Sequence, residues 1–217
     1  MPPPGGAPLR CAGPSADINH LQIGLGIGEF NTTLDFDNGR DVAVEMTTVS
    51  VAGAWLMNER WTTRVGVGLI ADGRLGTADG TWYDVESGGL VTVGAEYRAH
   101  QGTGQTPSVD LSFFLGASWA EIVAPVSSEQ TDYFAADARL GARAGWSVGD
   151  HLYPYFAARI FGGPVHWELA DEDVVGSDVH HYQVALGAAG QIGAMGLFVE
   201  WAQLGEKALG GGVSWVW

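Results

Sequence analysis

Apolar residues alternate with small or polar ones along most of this chain. From about His20 to Thr33, Leu21, Ile23, Leu25 and Ile27 hold one parity, and Gln22, Gly24, Gly26 and Gly28 hold the other. A period of two places successive side chains on opposite faces of a strand. A third segment, about 61–71, sets Trp61, Thr63, Val65, Val67 and Leu69 against Thr62, Arg64, Gly66, Gly68 and Ile70. A fifth, about 108–119, gathers Val109, Leu111, Phe113, Leu115, Ala117 and Trp119 on one face. Comparable segments fall at about 42–57, 89–98, 134–147, 152–162, 180–190, 195–204 and 207–217. The pattern predicts ten strands, and no helical period competes over a similar length. In the second segment Val49, Val51, Trp55 and Met57 share one parity while Val42, Val44 and Met46 share the other. A bulge near Thr47–Thr48 would reconcile them.

The spacers between segments alternate in length. Asn58-Glu59, 100–106, Gly149-Asp150 and 191–194 are mostly short, whereas 34–41, 72–88, 121–133 and 163–179 are longer. Transmembrane β-barrels have short periplasmic turns and longer outer loops. Only the last outer connection, near Gly205, is short. Aromatic residues agree with that orientation. Trp55, Trp61, Tyr97, Trp146 and Trp217 fall at the ends assigned to the periplasm, and Trp119, Trp167 and Tyr182 fall near the opposite rim. Such rings form girdles at both membrane interfaces.

The final segment is Leu209 to Trp217, LGGGVSWVW, with Leu209, Val213, Trp215 and Trp217 on one face. A strand ending on a carboxy-terminal aromatic residue resembles the closing strand of bacterial outer-membrane β-barrels. The resemblance implies an all-β, transmembrane, antiparallel up-and-down barrel of about ten strands in the envelope of a Gram-negative bacterium. It also implies outer-membrane lipid and lipopolysaccharide as surroundings, and the barrel-assembly machinery as the reader of the terminal aromatic.

Composition is consistent with this reading. Hydrophobic residues make up 46% of the chain and charged residues 16%, yet no apolar run approaches the ~20 residues of a spanning helix. Alternation in strands is then what hides the apolar residues. A net charge of −15 argues against nucleic acid as a partner. The single cysteine, Cys11, excludes an intrachain disulfide framework. It lies in a Pro/Gly-rich start, read as a flexible leader over 1–18 ahead of a barrel over 19–217. This start shows no basic and apolar export signal, and the Arg10 before Cys11 departs from a lipoprotein cleavage pattern.

The second face decides between a membrane barrel and a soluble lipocalin-like or avidin-like barrel, whose inside is apolar. That face carries Arg64, Glu96, Arg98, Asp110, Asp137, Arg139, Arg143, Arg159 and Glu200 among Gly, Ala, Ser112 and Gln183, and the chain's only lysine is Lys207. Arginine pairs bidentately with carboxylates in confined spaces, and small residues leave it room. A lumen network follows, in which five arginines face four carboxylates. Unpaired charges are costly there, so the network is expected to neutralise itself and largely close the lumen. A narrow pore for small polar solutes is the alternative.

Other chemistry is thinner. Asp178-Val179-His180 resembles the Asp-x-His of omptin-type proteases, which are also ten-stranded barrels, but the second aspartate pair of that family has no counterpart here. The His-x-Ser of lipid A deacylase-like barrels is absent too. Acidic residues from Asp35 to Asp178 are assigned to outer loops, and Asp171-Glu172-Asp173 lacks the spacing and glycine of a calcium loop. Gly24-Leu25-Gly26-Ile27-Gly28 precedes no helix, which rules out a dinucleotide fingerprint. The expectation is a non-enzymatic envelope barrel without cofactor or metal.

Overall fold

Residues 21–37, 39–103, 105–124, 130–149, 151–169 and 172–217 are described by a computed structural model. The leader expected over 1–18, with Cys11, lies outside them. Twelve antiparallel strands account for nearly all of the described chain. They are β1 Leu21–Phe36, β2 Asp41–Leu56, β3 Trp61–Thr77, β4 Trp82–His100, β5 Ser108–Val123, β6 Gln130–Gly145, β7 Leu152–Gly162, β8 Val165–Leu169, β9 Glu172–Asp178, β10 Tyr182–Ile192, β11 Met195–Gly205 and β12 Lys207–Val216. Among the described residues, no helix is long and apolar enough to cross a membrane.

Ten of these strands make a closed ring. β1 to β7 pair in sequence, β7 pairs with β10, and β10, β11 and β12 continue until β12 meets β1 from Gln22↔Val216 to Asn31↔Lys207. Closure removes the open edge that hydrocarbon would not tolerate. Outside the ring stand Leu21, Ile23, Leu25, Ile27, Val65, Val67, Leu69, Leu111, Phe113, Leu115, Leu140, Val199 and Trp201, all exposed. Exposed Trp55, Trp61, Trp146 and Trp217 mark the periplasmic rim, and Trp119 and Tyr182 mark the outer one. An apolar belt between aromatic girdles identifies a transmembrane barrel of the bacterial outer-membrane type.

Strands β1 to β6 run 16 to 19 residues, whereas β7, β10, β11 and β12 run 10 or 11. The long strands therefore rise above the short ones, and the hairpin β8–β9 fills the gap. β8 pairs with the top of β6 through Tyr133↔Trp167, and β9 pairs with the top of β1 through Leu34↔Asp178. The result is a barrel on two levels, ten strands in the membrane and eight above it. The segment 163–179, expected as a loop, is mostly this hairpin. Much of the expected loops 72–88 and 121–133 is likewise strand.

The interior changes chemistry between levels. In the membrane ring the inward positions mix glycine, alanine, serine and threonine with the charged set and a few large rings, Phe114, Tyr153, Tyr155 and Phe198. In the outer level they are Leu34, Phe36, Val42, Val44, Met46, Leu75, Ile122, Tyr133, Val165, Trp167 and Val174, each at most 4% exposed. The conflict of parity seen in β2 is resolved by this change. Its even residues point inward from Val42 to Leu56 without a break. A register shift does lie at Thr47/Thr48, but the extra residue is Ala71 on β3. A matching irregularity at Val85/Ser87 on β4 keeps the two bulged strands in step.

Trp167 corrects another expectation. It is not a girdle residue but the centre of the outer core, 1% exposed and edge-on to Tyr83 at 5.2 Å. Its indole N–H donates to Thr131 Oγ1 at 3.1 Å, so no polar group is left unsatisfied there. Of the acidic residues assigned to outer loops, Asp35, Asp72, Asp84, Glu86 and Glu168 lie on strand faces turned to water. Asp178 is buried at 1% exposure.

Candidate functional site

The lumen of the membrane ring holds all nine charged residues singled out by parity. Each comes from a strand whose opposite face meets lipid, which leaves a charged side chain only the interior. They fall into two networks. Near the periplasmic end, Arg64 Nη2 lies 3.3 Å from Glu96 Oε2, and Arg143 Nη2 lies 3.7 Å from the same oxygen. Arg143 also donates to Asp110 Oδ2 at 3.0 Å, and Arg98 Nε donates to Asp110 Oδ1 at 2.9 Å. Three arginines and two carboxylates thus form one chain across β3, β4, β5 and β6. Tyr155 packs 5.7 Å from the Arg143 guanidinium, and the Tyr153 hydroxyl bonds Ser108.

The second network lies toward the outer end. Arg159 grips Glu200 with both terminal nitrogens at 2.7 Å and donates to Gln183 Oε1 at 2.7 Å. Gln183 Nε2 donates to Glu206 Oε1 at 3.1 Å. Arg139 stands 3.7 Å from Glu206 Oε1 through Nη2 and 3.5 Å from Asp137 Oδ2 through Nε. Its guanidinium lies 4.6 Å over the Phe161 ring, which fixes the plane. Here two arginines meet three carboxylates. Across both networks five arginines face five carboxylates, a neutral total.

Glu206 is the residue the parity argument missed. It sits between β11 and β12, at the turn where Gly205 takes φ +79 and a Cβ would strike the Tyr182 carbonyl oxygen at 1.8 Å. The inward set of β12 is even-numbered, Ala208, Gly210, Gly212 and Ser214, and extending it by one step would have found Glu206.

Between the networks lies a cavity of about 120 Å³. One wall is nearly bare, with Gly24, Gly26 and Gly28 of β1 beside Gly210 of β12 and Ala52 of β2. Leu90, Phe114 and Phe198 supply apolar surface, while Arg139 and Asp137 border its outer end. Phe114 and Tyr155 lie flat over glycines of neighbouring strands: a Cβ on Gly94 would sit 2.2 Å from Phe114 Cδ1, and one on Gly187 2.2 Å from Tyr155 Cζ. A smaller cavity of about 20 Å³ opens at the periplasmic end and shares Glu96, Asp110 and Arg143 with the larger one.

At the outer rim, Asp178 Oδ2 accepts from the Thr32 hydroxyl at 2.7 Å and Oδ1 accepts from the His180 backbone N–H at 2.7 Å. Both oxygens are occupied by structural partners rather than by an imidazole. Burial also raises the Asp178 carboxyl above its ordinary value, although the Thr32 and His180 bonds oppose the shift. No cluster of three potential metal ligands occurs among the described residues. The terminal-strand residues Leu209, Trp215 and Trp217 face outward and are exposed, and Val213 shares that face.

No family profile matches the chain, and no curated protein matches it in sequence. Solved structures to which the chain is similar include the outer membrane protein OprG from Pseudomonas aeruginosa, at 9% identity and a TM-score of 0.45, covering 92% of this chain and 96% of that one. The translocator domain of the autotransporter NalP from Neisseria meningitidis gives 14% and 0.46, covering 90% and 88%. Ail from Yersinia pestis gives 12% and 0.42, covering 92% and 100%. At such identities the likeness is one of fold alone.

Proposed function

We propose that this protein is a non-enzymatic envelope barrel that does not conduct, with a structural or surface-interaction role. One observation carries the reading: the eight-stranded outer level has an interior of apolar side chains above an ion-paired lumen. Eight strands enclose a space that side chains alone can fill, whereas a wider ring needs something more to close it. In the ten-stranded level the two charge networks supply that. The outer wall, with exposed Glu29, Asp35, Asp72, Glu86 and Glu121, would meet lipopolysaccharide phosphates through divalent cations. The terminal strand, with Leu209, Val213, Trp215 and Trp217, would be the part handled by the barrel-assembly machinery.

Single-channel conductance of the refolded protein in a planar bilayer tests the reading. Inserted protein is expected to be silent. A variant with 164–179 replaced by a short Gly-Ser linker loses the hairpin but keeps both charge networks, and discrete openings are expected only when Arg139, Arg143 and Arg159 are replaced by serine as well. Steady openings from the unaltered protein would overturn the closed barrel and leave a pore.

A further inference from the structure

The outward register lines of the barrel climb as they go round it. Ile27 on β1 faces Val49, Val49 faces Leu69 and Leu69 faces Gly89, all on the outer side of the wall. The line passes to Trp119 of the girdle and then to Phe134 on β6, His166 on β8 and Val175 on β9. It regains β1 at Asp37, ten residues beyond Ile27, where the Asp37 N–H donates to the Val175 carbonyl oxygen at 2.9 Å. At about 3.3 Å per residue and a tilt of about 40°, that climb amounts to roughly 25 Å, the height of a whole apolar band. Phe134, His166 and Val175 therefore stand above the lipid, yet Phe134 is 44% and Val175 40% exposed. On β2 to β4 the outer level instead turns Glu45, Arg74 and Asp84 outward. The exposed Trp82 there carries the Arg74 guanidinium 4.5 Å from its ring, whereas Phe134 has only the His166 ring, 6.5 Å away. Two residues above the apolar line, β5, β6, β8 and β9 expose Glu121, Asp132, Glu168 and Asp173. Glu121 faces Asp132 and Glu168 faces Asp173, and like charges so placed repel. Among the described residues no lysine, arginine or histidine pairs with any of the four.

We propose that this sheet face docks a basic, amphipathic segment of a partner protein at the cell surface, its apolar side chains on the line from Trp119 to Val175 and its lysine or arginine side chains on the line from Glu121 to Asp173. The apolar line defines the face, and the carboxylates fix the sign of the partner. An extended chain running between the two lines turns alternate side chains to each. Four strands at about 4.8 Å spacing span roughly 14 Å, which four or five extended residues cover. The face rests on the surface-interaction role proposed above and gives that role a partner of stated chemistry.

Surface plasmon resonance of the refolded full chain in nanodiscs tests the face, with the peptide Lys-Leu-Lys-Leu-Lys-Leu as probe and empty nanodiscs as reference. Saturable binding is expected, and hexalysine should bind at least fivefold more weakly. Replacing the four carboxylates together, Glu121→Gln, Asp132→Asn, Glu168→Gln and Asp173→Asn, should weaken the alternating peptide at least tenfold. Phe134→Ser with Val175→Ser should weaken it at least fivefold. Removing four carboxylates elsewhere on the exterior, Asp35→Asn, Asp41→Asn, Asp72→Asn and Asp84→Asn, should change it less than twofold. All of these side chains are exposed, and heat-modifiable migration shows that each variant folds. Absence of saturable binding would overturn the proposal. So would an equal loss in the second fourfold variant or equal binding of hexalysine, either of which leaves a merely acidic surface. Self-association of the unaltered chain that Phe134→Ser with Val175→Ser abolishes would give the face to a second copy and overturn it too. Conductance of the same preparation separates the two readings: a silent barrel without peptide binding sinks the face alone, and a conducting one sinks the closed barrel.

Discussion

Arg159 and Glu200 show what a single ion pair does in this lumen. Their two parallel hydrogen bonds join β7 to β11 across the inside of the ring, and both side chains are largely buried. Removing one partner strands the other charge, which typically costs about 3–5 kcal/mol, whereas removing both together costs far less. Arg159→Met is therefore expected to lower unfolding stability in micelles by about that amount, and adding Glu200→Leu should recover most of it. Asp178 behaves differently because its carboxyl is raised, not lowered. A raised carboxyl binds its proton more tightly when folded than when unfolded. Its contribution is full below the ordinary carboxylate range and is lost as pH rises through the folded value. Hydrogen exchange, corrected for intrinsic rates, should show β9 better protected at pH 4 than at pH 7.5, with the difference reduced in Asp178→Asn. The nine lumen charges were legible in the sequence because lipid admits no charge on the other face. Glu206 was missed because the last predicted segment starts at 207, one step short of it on the same inward parity.

At the scale of the element, β3 and the hairpin matter most. Ala71 is an extra residue, and it turns Leu75 inward to the outer core and Arg74 outward to Glu45, 2.6 Å away. Deleting Ala71 would reverse the two, placing a guanidinium among apolar side chains and a leucine in water. The outer level should then become sensitive to protease and lose about 2–5 kcal/mol of local stability, while the membrane ring still forms. The strands of the ring were legible from period two alone. The hairpin was not, for a physical reason: parity identifies lipid-facing residues only where lipid is present. Above the membrane the exterior must be polar and the interior apolar, so the same alternation carries the opposite meaning. Val42, Val44 and Met46 looked out of phase with Val49 and Val51 because of that inversion, not because β2 changes direction.

For the whole molecule the belt sets the depth. Val67 on β3 faces the middle of the membrane, and Ala43 on β2 faces water on the outer level. Val67→Arg is expected to cost about 2–4 kcal/mol in bilayer unfolding, and Ala43→Arg less than about 0.5 kcal/mol. One edge of β1 serves two neighbours, β12 from Gln22 to Asn31 and β9 from Leu34 to Phe36. The seam that closes the ring and the line that fastens the hairpin are therefore consecutive stretches of a single strand. Opening that seam from the outside would have to unfasten the hairpin first, and seating the hairpin holds the seam shut. The top of the molecule works as a clasp on its own cylinder, so assembly finishes where disassembly would have to begin.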